Sequence, residues 1–457
     1  MATPLPPNFV IPATQTETRR DPLKHDELPP LFPEKINIFN IWKYLDYKHV
    51  VGLGLTPLIA LYGILTTELQ TKTLIWSIIY YYATGLGITA GKYFECDVKT
   101  AWGYHRLWAH RAYNAGPAMS FILALLGAGA VEGSIKWWSR GHRAHHRWTD
   151  TEKDPYSAHR GLFFSHIGWM LIKRPGWKIG HADVDDLNKS KLVQWQHKNY
   201  LALVLGMGIV FPTLVAGLGW GDWRGGYFYA ALTRLVFVHH ATFCVNSLAH
   251  WLGDGPFDDR HTPRDHFITA FLTLGEGYHN FHHQFPQDYR NAIRFYQYDP
   301  TKWAIAVCAF FGLASHLKTF PENEVRKGQL QMIEKRVLEK KTKLQWGTPI
   351  SDLPILSFED YQHACKNDNK KWILLEGVVY DVADFISEHP GGPKYLNMGI
   401  GKDMTAAFNG GMYDHSNAAR NLLSLMRVAV VEYGGEVEAQ KKNPSVPIYG
   451  DDHAKAE

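Results

Sequence analysis

The chain's 24 histidines are bunched rather than scattered. HRLWAH holds His105 and His110, HRAHH holds His142, His145 and His146, and HNFHH holds His279, His282 and His283. A ninth candidate, His250, follows Asn246 in NSLAH. On a helix, residues three and four apart share one face, so the second and third boxes each turn imidazoles to one side. His105 and His110 are five apart, which suits a helix end or two neighbouring metals. Imidazole binds iron, zinc and copper well. Eight or nine such donors exceed the needs of one ion and point to two metals, each with about four or five ligands and open positions for oxygen. The Glu-x-x-His spacing of soluble di-iron bundles is missing, so irons here would be nitrogen-ligated. HExxH is missing too, and zinc has no use for nine imidazoles, which ranks iron above zinc. One HxxHH alone reads equally as a surface cluster. Three boxes, each beside an apolar stretch, do not.

Those apolar stretches are the elements that must position the boxes. Crossing a bilayer takes roughly 17–25 mainly apolar residues. Spans are expected near 50–66, 74–91, 201–220 and 227–248. Arg234 and His239–His240 interrupt the last, and polar groups inside a span usually face protein or a water-filled site. The connections between spans one and two, and between three and four, are short. The middle connection exceeds a hundred residues and is rich in Lys, Arg and His. That asymmetry predicts two hairpins with both termini and the long loop in the cytosol. Ala118–Ala130 and Trp303–Leu317 are too short to span and read as helices at the membrane surface. The expected fold is an all-α membrane domain over 46–320, four transmembrane helices in two hairpins under a cytosolic helical cap.

Beyond it, 321–345 alternates in charge sign and reads as a solvated linker helix. Residues 346–432 read as a small α+β domain, with WILLEGVVYDV as its strand. The ends, 1–45 and 433–457, are polar and read as disordered cytosolic tails, the first without a signal-peptide core. Cys96, Cys244, Cys308 and Cys365 form no CxxC pair, which argues against a disulfide framework and a thiolate zinc site. The net charge of +4 is diffuse and gives no basic stripe for nucleic acid.

HRLWAHRAY, WSRGHRAHHRWTDTEKDP, NSLAHWLG and GEGYHNFHHQFPQDYR resemble the membrane stearoyl-CoA (Δ9 acyl-CoA) desaturases, and the likeness runs from about residue 36 to 432. The resemblance implies that His105, His110, His142, His145, His146, His250, His279, His282 and His283 are the iron ligands and hence the catalytic set. It implies that Asn246 holds a water on one iron. It also implies that two irons use O2 and two electrons to remove two hydrogens from unactivated carbons, in the endoplasmic reticulum membrane. A bent tunnel would grip the acyl chain and a basic cytosolic face would hold CoA. Arg140, Arg143, Lys173 and Arg174 are loose candidates for that face, each equally readable as an ordinary solvated charge. Trp137 and Trp138 read as packing or interfacial residues. His159, His166 and His261 read as hydrogen-bonding residues rather than ligands. In the family, the glycine ending the second span runs almost directly into YHRLWAH. Here KYFECDVKTAWG, residues 92–103, intervenes, as an insertion or a translated intron. It either loops out or shifts His105 and His110 about a dozen residues along the chain.

WILLEGVVYDVADFISEHPGGPKYL followed by YDHSNAARNLL resembles cytochrome b5, and fungal desaturases with a C-terminal haem domain are similar in layout. By that likeness His389 and His415 are the axial ligands of one b-type haem. Two axial histidines leave no open position, so the haem would carry single electrons. Gly391 and Gly392 allow a sharp turn beside His389. Phe385, Leu396, Phe408 and Leu422 are candidate pocket residues. A tethered donor works at an effective concentration on the order of millimolar, and an NADH-dependent cytochrome b5 reductase would supply it. The implied activity is O2-dependent Δ9 desaturation of saturated fatty acyl-CoA. The competing readings are a histidine-box hydroxylase or alkane monooxygenase, and a membrane-anchored haem electron carrier with a disabled metal site.

Overall fold

A computed structural model describes residues 28–32, 34, 36–37, 39–89, 104–173 and 179–432. Most of the N-terminal tail, the tail 433–457, residues 92–103 and Arg174 lie outside the described residues. The chain divides into two compact units, Met1–Ile333 and Glu334–Glu457.

In the first unit, α1 (Tyr47–Thr66) begins at Asp46, whose carboxylate accepts from the Lys48 amide. Among the described residues, three helices are long and apolar enough to cross a membrane: Tyr47–Thr66, Tyr200–Trp220 and Trp223–His250. The remaining expected span corresponds to α2 (Thr71–Thr89), which does not reach that hydropathy. Tyr80, Tyr81, Tyr82, Thr84 and Thr89 lower its apolar character, and several of its residues are buried against protein instead. It packs against α3 (Pro117–Gly129) so closely that a Cβ on Gly87 would lie 2.4 Å from the Gly127 amide nitrogen.

Arg234 explains one interruption of the last span. It is buried and donates to the carbonyls of Gly129 (2.7 Å) and Gly208 (2.9 Å). Gly208 belongs to a π-helical stretch, Val204–Val210, where the widened ladder frees carbonyls for such a donor.

Two expectations about the segment from residue 303 to 345 need correction. Trp303–Leu317 is not one helix. Helix Pro300–Phe310 ends before Gly312, whose φ of 70° favours glycine. The chain then forms β2 (Ala314–Ser315), antiparallel to β1 (Asn114–Ala115). The charged segment after Pro321 is helical over Glu322–Lys341 but not wholly solvated, because Val325 is buried against Phe257, Phe281 and Phe285.

The second unit is built on a four-stranded sheet of order β3-β6-β5-β4. These strands are Ile355–Leu356, Arg427–Val431, Val378–Asp381 and Trp372–Leu375 respectively. WILLEGVVYDV, expected as one strand, is a hairpin. Glu376 (φ 51°) and Gly377 (φ 82°) are both left-handed, as a two-residue type I′ turn requires. Ile373, Leu375 and Val382 form a core against Leu396, Phe408 and Leu423 of the helices that follow.

Candidate metal centre and cofactor pocket

The first box lies on a π-helical turn, Tyr104–Ala109, where the His110 amide bonds to the His105 carbonyl at 3.1 Å. An i→i+5 bond places residues five apart on one side. The second box lies on α4 (Ile135–Trp148), capped by Ser134. The third lies on His279–Gln284, whose first turn is anchored by Asp265 accepting from the Asn280 (2.8 Å) and Phe281 (3.2 Å) amides. His250 ends the last apolar helix.

These nine imidazoles form two groups. His105, His110, His142, His146 and His282 make one, and His145, His250, His279 and His283 the other; donor atoms within each lie within 4.8 Å of one another. Neither HxxHH box serves a single group. In the second box the i,i+4 pair His142 and His146 joins the five, and His145 crosses to the four. In the third, His279 and His283 join the four, and His282 crosses to the five. His105 and His110 enter one group, so their spacing does not serve two metals. Nε2 atoms approach in pairs at 2.8 Å for His110 and His142 and 3.2 Å for His145 and His283.

The donor set fits metal. Burial, then repulsion from neighbouring imidazoles, holds His110, His142, His146, His282 and His283 well below the ordinary imidazole range. His279 is pushed down to about 3, again chiefly by burial. Neutral imidazole is the metal-binding form. His250 Nε2 is buried without a hydrogen-bond partner.

The opposite ring nitrogens meet groups that box spacing did not reveal. His145 Nδ1 lies 2.9 Å from Asp154, His105 Nδ1 3.1 Å from Glu276, and His250 Nδ1 2.7 Å from the Thr262 hydroxyl. The Tyr156 hydroxyl is 3.3 Å from His142 Nδ1. Such partners orient metal-binding histidines. Glu276 is itself held by Arg106 (2.9 Å) and Asn291, and Arg106 forks onto Asp299 at 2.8 and 3.0 Å. Burial would raise the Glu276 carboxyl, but His105 and Arg106 outweigh it and hold it well below the carboxylate range.

A cavity of about 370 Å³ opens beside His105 and His142, lined mainly by apolar groups and by Asn246. Trp137 and Trp138 line it, beyond the packing role expected of them, and Trp138 stacks on His142 with ring centroids 4.9 Å apart. Glu132 also lines it. Its side chain accepts from Thr242 (2.7 Å) and interacts with Trp138. Burial, against the opposing Thr242 and Trp138 bonds, pushes its carboxyl up to about 8. Of the loose basic candidates, Arg140 and Lys173 line the cavity. Arg143 does not. Its guanidinium is occupied by Asp186 (2.7 and 2.8 Å) and by backbone carbonyls. His159 and His261 lie 3.9 and 3.5 Å from Asp150, and His166 bonds Ser247 (2.9 Å) and His240 (3.0 Å).

In the second unit, His389 and His415 face each other across a cavity of about 770 Å³, with ring centroids 6.3 Å apart. Two metal–nitrogen bonds of about 2 Å plus the ring radii fill such a gap. Nδ1 of His389 donates to the Gly392 carbonyl (3.1 Å) and that of His415 to the Phe408 carbonyl (3.0 Å), so both Nε2 lone pairs would be available to hold a haem iron. Phe385, Leu396, Phe408 and Leu422 line the cavity, joined by Tyr395, Met404 and Met426, which the sequence did not single out. Gly392 has a φ of 88°, and a Cβ on Gly391 would lie 2.9 Å from the His389 ring. The pocket fits a bis-histidine haem.

Residues 98–316 match the family model described as fatty acid desaturase, and residues 357–432 match the cytochrome b5-like haem/steroid binding domain. A probable acyl-CoA desaturase of Schizosaccharomyces pombe is 53% identical over 409 residues, 90% of this chain and 82% of the relative. Acyl-CoA desaturase 1 of Saccharomyces cerevisiae is 45% identical over 397 residues, 86% of this chain and 75% of the relative. The human stearoyl-CoA desaturase is 35% identical over 300 residues, 65% of this chain and 80% of the relative. The chain belongs to the fatty acid desaturase family, in the form that carries a cytochrome b5-like domain after the desaturase domain.

Proposed function

We propose that this protein is a membrane acyl-CoA desaturase that places a cis Δ9 double bond in a saturated fatty acyl-CoA, drawing electrons through its own haem domain. The nine histidines would hold two iron ions, five at one and four at the other, with Asn246 holding a water on one of them. Iron bound there supplies the oxygen-activating chemistry that side chains lack. The chain's residues do the placing. The apolar cavity takes the acyl chain and excludes water, and Trp138 presses its wall against His142. His389 and His415 hold the haem that passes single electrons.

The finer reading follows the family. It has α2 as a fourth span, an endoplasmic reticulum location, and both termini and the histidine groups in the cytosol. A linker over 321–345 would lead into a haem domain at 346–432. O2 and an NADH-dependent cytochrome b5 reductase would be its partners.

One observation carries the proposal: two groups of buried or half-buried imidazoles, five and four, beside an apolar cavity. The test is expression in an unsaturated-fatty-acid auxotroph, with mass spectrometry of the lipids. Rescue with a Δ9 product is expected from the full chain or from a version lacking residues 92–103. Failure of both, with iron and haem incorporated, rejects it. A hydroxylated product would assign a hydroxylase, and haem iron alone an electron carrier.

A further inference from the structure

Asp150 and Thr262 lie outside the nine histidines, yet together they govern one of them. Asp150 follows the second box just beyond α4, with a φ of 65°, a left-handed conformation that Asp tolerates better than most residues. Its side chain is buried, and Thr262 bonds both of its oxygens. The Thr262 hydroxyl donates to Oδ1 at 2.6 Å and the Thr262 amide to Oδ2 at 2.7 Å. Burial would raise this carboxyl, but the bonds from His261 and Thr262 outweigh it and hold it below the usual range. It is therefore an ionised acceptor, and the one hydroxyl proton of Thr262 points to it.

That leaves the Thr262 oxygen only its acceptor role toward His250 Nδ1, 2.7 Å away. His250 must carry its proton on Nδ1. Its Nε2 lone pair then faces inward, where Nε2 is buried, unpartnered and grouped with His145, His279 and His283. The same loop supplies Asp154 to His145 Nδ1 (2.9 Å), and the Asp150 amide donates to Asp154 at 3.0 Å. One loop after α4 thus orients two of the four donors.

We propose that Asp150, acting through Thr262, is a positioning residue that fixes the tautomer and ring direction of His250 and thereby the metal affinity of the four-histidine position. The inference rests on the two-iron desaturase reading. It is tested on the full chain in detergent, loaded with iron-57, by counting non-haem iron per haem during chelator challenge and by Mössbauer spectroscopy. Thr262→Val keeps the shape and removes the oxygen. It should weaken one iron about 10–100-fold and lose one of two non-haem Mössbauer signals, with haem absorbance unchanged. Thr262→Ser should retain both irons. Asp150→Asn, which turns an amide NH2 toward one of the two Thr262 donors, should move in the same direction as Thr262→Val. Wild-type chelator resistance and signals in Thr262→Val overturn the proposal. Loss of both irons alongside lowered thermal stability also overturns it, as mere structural damage. A wild-type chain that holds haem but no non-haem iron is a different result, and it rejects the desaturase reading itself.

Discussion

His145 and His146 are neighbours in sequence but face different groups: His145 lies 3.2 Å from His283 and His146 lies 3.0 Å from His282, nitrogen to nitrogen. The helical step of about 100° between adjacent residues makes this possible. A single turn of α4 thus stands between both candidate metal positions.

The first prediction follows from that split. His145→Ala and His146→Ala should each remove a different iron, leaving about one non-haem iron per haem in both variants. Desaturase turnover should fall at least about 100-fold in each. Iron-57 Mössbauer spectra should show complementary losses. The same signal lost from both variants would contradict the two-group arrangement.

Iron-depleted protein should be acid-labile. His110, His142, His146, His279, His282 and His283 are all held below the ordinary imidazole value in the fold, chiefly by burial. Below about pH 6.5 the unfolded chain takes up protons that the folded chain refuses. Stability is therefore full above that pH and falls as the pH drops, by about 1.4 kcal/mol per pH unit for each histidine that stays neutral. Thermal unfolding of the iron-free chain from about pH 7.5 to about 5.5 should show this, and iron should suppress it. A flat profile would argue that the imidazoles are not buried together.

Glu132 should behave in the opposite sense. Its carboxyl rises from 4.5 to about 8 in the fold, so folded protein keeps a proton that unfolded chain releases between those values. Its contribution is present at low pH and lost as the pH climbs toward 8. Glu132→Gln keeps the shape without the titration. It should be more stable than the parent by a few kcal/mol near pH 8, because each pH unit climbed within that window costs the parent up to about 1.4 kcal/mol. The advantage should vanish near pH 4.5. Melting curves at several pH values decide it, and a pH-independent difference would refute a neutral Glu132.

Gly391→Ala should weaken haem binding without touching the iron site, because the new Cβ would stand 2.9 Å from the His389 ring. Displacing the ring costs on the order of 1 kcal/mol, or several-fold in haem affinity. Haem transfer to apomyoglobin measures it. His415→Ala should abolish the bis-histidine spectrum altogether.

Histidine spacing and HPGG were legible because ligand chemistry repeats at helical intervals or beside fixed turns. What could not be read was how each box divides, since a helix supplies both sides of a two-centre site and only tertiary packing says which side is which. Asp150, Asp154 and Glu276 were likewise hidden. They sit in or just after quoted motifs, TDTEKDP and GEGYHNFHH, but act from loops that have no period. Arg143 looked like an anion-binding cation only because Asp186, far along the chain, could not be paired with it. The hairpin within WILLEGVVYDV was available in principle, since a glycine between two apolar runs punctuates the chain.

Both histidine groups draw on the third box, which is the last of the four stretches to be synthesised. No nascent fragment ending before His283 carries a full donor set for the four-histidine group, and none ending before His282 carries one for the five. Capture by both full donor sets therefore waits until synthesis has passed His283, with the whole haem-carrying unit still to follow.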